Sequence, residues 1–129
     1  NNLWILEEEI MKVLICGSRN INDPKVVSEA VEQSGMNATE IISGGARGVD
    51  TLARYYAQSN GIEFTEYLAE WDRFGKKAGY LRNIVMVNDA DAVIAIWDGD
   101  SRVVSTVKFA VALATGTVPS FGENKKVSL

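Results

Sequence analysis

A chain of 129 residues with 47% hydrophobic residues is the size of one ordinary domain and apolar enough to bury a real core. It has no histidine and one cysteine, which removes Ser–His and Cys–His catalysis, most zinc sites and any internal disulfide. The formal net charge of −4 argues against general nucleic-acid binding, and no apolar run approaches the roughly 18 residues of a membrane span.

The chain opens on "NNLWILEEEI", which reads as an extension over residues 1–10, apolar at Leu3 to Leu6 and acidic at Glu7 to Glu9. "MKVLICGSR" makes a sensible start at Met11, and residues 11–129 read as one domain. Five short β-rich runs follow: Lys12–Gly17, Glu40–Ser43, Ile62–Tyr67, Ala92–Trp97 and Thr117–Phe121. Several are continuously apolar, as strands buried on both faces are. Cys16 lies within the first and reads as a small buried hydrophobe.

Helical patterns lie between the strands. The first begins at Asp23-Pro24, an N-cap followed by proline at the first helical position. The second follows "SGGARG", with Val49, Leu52, Ala53, Tyr56 and Ala57 on one face and Asn60-Gly61 as the stop. The third runs from about Ala78 to Asn88 and the fourth from about Val103 to Ala114. Strand–helix alternation predicts an α/β, Rossmann-like open parallel sheet of about five strands with helices on both faces. Ligands bind such sheets outside the carboxyl ends of the strands, near a topological switch point.

Four loops at those ends or at helix starts each hold a glycine and an arginine: "GSRNIND", "SGGARGVD", "KKAGYLRN" and "DGDSR". They contain Arg19, Arg47, Arg82 and Arg102, four of the six arginines in an acidic chain. That convergence points to an anionic ligand.

In "SGGARGVD", Ser43, Gly44 and Gly45 lead into a helix starting near Gly48, whose free N–H groups suit phosphate. Arg47 adds a clamp, and Asp50 is acidic in the first helical turn. A tight strand–helix turn accounts for the same residues equally well. Gly17, Ser18 and Arg19 divide the same way between phosphate contact and a turn.

Around "EWDRFGKKAGYLRN", Trp71 suits either core packing or stacking on a base, and Lys76 and Lys77 read as solvated. Gly79 with Arg82-Asn83 reads as a site group. After the fourth strand, Asp98 suits hydroxyl groups of a ribose or a turn cap, and a metal on Asp98 and Asp100 lacks a further acid.

Taken together, "MKVLICGSR", "IISGGARGVDTLARYYA", "YLAEWDRFGKKAGYLRN" and "DADAVIAIWDG" resemble, in order and spacing, the YspA-like branch of the SLOG superfamily. That superfamily includes the "lonely guy" phosphoribohydrolases and the Rossmann-like domain of the DNA-processing protein A. The resemblance covers roughly residues 11–118 and implies a Rossmann-like fold that binds nucleotides or nucleotide-derived ligands. It carries ligand-binding roles onto Gly17, Ser18 and Arg19, onto Gly44, Gly45, Arg47, Gly48 and Asp50, and onto Ala78, Gly79, Arg82 and Asn83. Gly99, Ser101 and Arg102 fall in its "D-G-x-S" segment.

The departures bear on mechanism. Val103-Val104 stand near the place of a second phosphate-binding Gly-Thr, and residues 103–118 hold no acid in the place of the hydrolytic glutamate. Tyr80 stands near a usual proline.

The resulting expectation is a sensor or sequestering protein for a nucleotide, an NAD-derived molecule or a signalling nucleotide, without efficient turnover, metal or cofactor. One alternative is an N-glycosidic phosphoribohydrolase acting through Asp50 and Asp98. Another is a single-stranded DNA-binding module, against which the acidic balance counts. A homodimer or higher homo-oligomer is expected. So is a cytoplasmic location, that of a host if a phage encodes the chain.

Overall fold

The computed structural model describes residues 10–96 and 126–128. Its centre is a five-stranded parallel sheet of β1 (Lys12–Gly17), β2 (Glu40–Ser43), β3 (Glu63–Glu66), β4 (Ala92–Ile96) and β5 (Lys126–Ser128). The spatial order is β3-β2-β1-β4-β5. The helices are α1 (Pro24–Ser34), α2 (Val49–Ser59), the short α3 (Trp71–Phe74), and α4 (Ala78–Asp89), with a 3₁₀ turn at Gly75–Lys77 before α4. The expected α/β, Rossmann-like fold is therefore the observed one.

Strand order explains how the helices divide. From β1 the chain steps outward to β2 and β3, then returns past β1 to β4. Right-handed crossovers in opposite directions place their helices on opposite faces. The α1–α2 face packs Val13, Ile15, Ile41, Ile94 and Ile96 against Val27, Val31, Val49, Ala53 and Ala57. The α4 face packs Leu14, Cys16, Ile42, Val93 and Ala95 against Met86, Val87 and Ala90. The period-2 alternation of β1 sends Val13 and Ile15 to one face and Leu14 and Cys16 to the other. All five residues of β4 are buried, as a central parallel strand requires.

Local signals set the helix ends. The Asp23 carboxylate accepts from the Lys25 N–H at 3.0 Å, with Pro24 at the first helical position. Gly35, in the left-handed region at φ 69°, closes α1. In α2, Val49, Ala53 and Ala57 form one fully buried stripe, and the alanines let the helix approach the sheet closely.

Three details differ from expectation. The third strand is Glu63–Glu66, shorter than Ile62–Tyr67: the Ile62 N–H donates to the Ala57 carbonyl at 2.9 Å, at the end of α2. Residues 71–77 form helical turns of their own before α4. The fifth strand is Lys126–Ser128, whereas the expected Thr117–Phe121 lies outside the described residues. So do Trp97, the helix expected over Val103–Ala114, and residues 1–9.

Candidate functional site

The strand order reverses between β1 and β4, so their carboxyl ends, Gly17 and Ile96, flank the switch point. Gly17 passes so close to β4 that a Cβ would overlap the Ile96 carbonyl. Ser18 is fully buried; its N–H donates to Ile96 O at 2.9 Å and its carbonyl accepts from Val49 N–H at 3.1 Å. Gly48, at φ 76°, lies against the backbone of Ser18 and Arg19 with no room for a side chain. The first-strand loop and the start of α2 are thereby locked together, and Arg19 is left exposed above them.

The Gly44–Asp50 loop is held from inside. Ser43 Oγ donates to the Ile15 carbonyl at 2.9 Å, fastening β2 to β1. Asp50 Oδ2 accepts from the Ala46 N–H at 3.1 Å, and Thr51 Oγ1 donates to the Ala46 carbonyl at 3.1 Å. Gly45, at φ 77°, rests against the Glu66 carboxylate. From α4, Arg82 Nη1 donates to the Gly44 carbonyl and, at 3.4 Å, to the Tyr67 carbonyl. Its Nε donates to Asn83 Oδ1 at 3.0 Å. One guanidinium thus ties the ends of β2 and β3 to α4.

Burial raises the Asp50 carboxyl above its ordinary value of 3.8; the hydrogen bond from the Ala46 N–H, the neighbouring polar groups of Ser43 and Gly44 and the nearby Arg82 charge oppose the rise. Burial, and secondarily the Asp50 charge, pushes the Cys16 thiol up to about 12. Cys16 is therefore a protonated thiol at neutral pH and no nucleophile.

The opposite side is apolar and open. Leu68 is 72% exposed and Trp71 is 59% exposed. Such exposure removes core packing as the role of Trp71. The outer edge of its indole meets Gly79, where a Cβ would come within 3.3 Å of the ring. The charges beside it are spread outward: Arg73 pairs with Glu70 at 3.8 Å and lies over the Phe74 ring, and Lys76 and Lys77 are exposed.

These parts enclose a cleft of about 440 Å3. It brings together Gly17, Arg19, Gly44, Gly45 and Asp50 on one side with Trp71, Arg82 and Asn83 on the other. Cys16, Ala46, Leu68 and Met86 also line it, and sequence reasoning placed none of them there. A signal existed for one: Met86 follows Arg82 by one helical turn.

Six expected site residues do not line the cleft. Ser18, Ser43 and Gly48 are buried beneath it as backbone anchors, Ala78 is buried in α4, Gly79 seats the indole, and Arg47 is exposed beside it. Asp98, Gly99, Ser101 and Arg102 lie outside the described residues. Among the described residues there is no group of three or more acids or cysteines able to hold a metal, and no helix long and apolar enough to cross a membrane.

Comparison with known proteins places the fold in a family. The model of the YspA, cpYpsA-related SLOG family matches residues 11–74, from β1 through α3. The Gene 61 protein of Mycobacterium phage D29 is 39% identical over 93 residues, which is 65% of this chain and 74% of that protein. No solved structure matches the chain significantly. The switch-point cleft, the glycine-lined loop and these similarities converge: the chain belongs to the YspA, cpYpsA-related SLOG family, with the role in binding or processing a nucleotide-related ligand that membership carries.

Proposed function

We propose that the chain binds a nucleotide, an NAD-derived molecule or a signalling nucleotide in the switch-point cleft and holds it without efficient turnover, as a sensor or sequestering protein. One observation carries this reading: the carboxylate inside the cleft is already engaged. Asp50 accepts from the loop it helps to shape and answers the positive end of α2. Arg19 remains exposed on the cleft wall as a cation for an anionic group. A phage relative fits a role in capturing a host nucleotide.

A thermal-shift panel of nucleoside monophosphates, NAD derivatives and cyclic dinucleotides tests the reading, with mass spectrometry of the recovered ligand. A stabilised protein that returns its ligand intact is the expected outcome. Steady conversion of the bound compound overturns it.

A second reading has its own support. A buried carboxyl with a raised pKa is what a general acid needs for N-glycosidic cleavage. Asp50→Asn preserves an acceptor for the Ala46 N–H but cannot give a proton. Hydrolysis of nucleoside monophosphates that persists in this variant removes Asp50 from catalysis. The expected homo-oligomer belongs to the same proposal, and light scattering with and without ligand tests it.

A further inference from the structure

The two sides of the cleft differ. On one, Arg19, the Gly44–Ala46 backbone and Asp50 supply polar groups; on the other, Leu68, Trp71 and Met86 supply apolar surface beside Arg82 and Asn83. Trp71 is the unusual member. A 59% exposed indole is not held by a core. Its support is Gly79 of α4, whose missing side chain leaves room for the outer edge of the ring. Ala78 beside it is fully buried, so the seat is part of the helix's fixed inner turn.

We infer that Trp71, seated on Gly79, is a stacking platform, and that the ligand is a mononucleotide unit carrying an unpaired purine or pyrimidine ring. This deepens the proposed function and rests on it. A flat ring gains from lying on an indole face, and any base has such a face. A cleft of about 440 Å3 lies within the range that small-molecule sites occupy. Sugar phosphates without a base leave Trp71 and Leu68 unused, so they are the weaker ligands. Gly79 is then a positioning residue: it orients the platform and touches no ligand.

Isothermal titration of the full chain with AMP, ribose 5-phosphate and a short single-stranded oligoadenylate tests the assignment. The variants are Trp71→Ala, Trp71→Phe and Gly79→Ala, each checked by its melting curve. The wild type is expected to prefer AMP over ribose 5-phosphate by about tenfold or more, the scale of one base–aromatic stack. Trp71→Ala abolishes the preference while ribose 5-phosphate binds as before. Trp71→Phe restores most of it. Gly79→Ala, whose methyl crowds the ring, lowers it by about two- to threefold.

A preference that survives Trp71→Ala, or a Trp71→Ala loss shared equally by both ligands, overturns the platform. Wild-type binding of ribose 5-phosphate as tight as AMP overturns it too, yet leaves a phosphate-binding cleft standing. If neither compound binds, the mononucleotide assignment falls, and the proposed function falls with it only when the NAD derivatives and cyclic dinucleotides of the thermal-shift panel fail as well. Tighter binding of the oligoadenylate than of AMP, collapsing with added salt, replaces the mononucleotide by a single strand.

Discussion

On the β1–β2 side of the cleft, the buried side-chain polar groups described are satisfied within the protein, and Arg19 stands exposed on the cleft wall. Asp50 serves Ala46, Ser43 serves Ile15, and Ser18 bridges β4 and α2. On the α3–α4 side, Leu68 and Trp71 face solvent, and Arg82 reaches across to tie the two sides together. The first wall is built for rigidity and is costly to alter. The second spends apolar surface in water, which folding alone does not reward. The contrast separates residues that make the site from residues that use it.

The largest expected effect comes from breaking the rigid wall at its backbone. Gly17→Ala or Gly48→Ala drives a methyl into the Ile96 or Ser18 carbonyl, and Gly48 also needs its positive φ. Each is expected to cost about 3 kcal/mol or more, read as a lost or strongly lowered denaturation midpoint. A midpoint close to wild type would mean that the two loops are not locked as described.

Next comes the tie between the walls. Arg82→Ala frees the Gly44 and Tyr67 carbonyls and is expected to cost about 2 kcal/mol, the scale of a lost charged hydrogen-bond group. Arg82→Lys recovers only part, because one ammonium cannot replace a planar fork. Full recovery by lysine in urea titrations would reduce Arg82 to a simple charge.

Asp50→Asn tests the sign of an electrostatic cost. Burial raises the Asp50 carboxyl above 3.8, so the folded chain holds that proton more tightly than the unfolded chain. The resulting stability is fully present below the ordinary value and is lost as pH rises through the raised one. Asparagine carries no charge at any pH, so the variant should melt higher than wild type at neutral pH. At acid pH, below the ordinary value, the two should melt alike. A lower melting temperature at neutral pH would show that the loop requires the negative charge.

The smallest effect is expected on the open wall. Trp71→Ala should change stability by about 0.5 kcal/mol or less, as exposed positions do. A loss comparable to that of Arg82→Ala would place Trp71 in the structural framework and erase the contrast between the walls.

Much of this was legible in the sequence. Asp23-Pro24 and Asn60-Gly61 mark helix ends through local chemistry that acts within a few residues. The apolar runs of β1, β2 and β4 announce parallel strands buried on both faces, because period and burial are written in adjacent side chains. "SGGARGVD" and "GSR" likewise declared a loop near the ligand edge. Residues 71–77 were harder: glycine and paired lysines interrupt the helical pattern, so their turns take shape only against α4.

Sequence alone thus determined the element types, the parallel sheet and the edge that carries the loops, since these follow from local propensity and hydrophobic period. Tertiary structure decided the roles. Ser43, Asp50 and Arg82 share one kind of motif, yet one fastens two strands, one shapes a loop and one ties both walls. Their partners lie as far as 38 positions away in the chain, where no local pattern reaches. Tertiary contact likewise decided that Trp71 faces the cleft and not the core: Gly79, in the next helix, seats its ring at the surface.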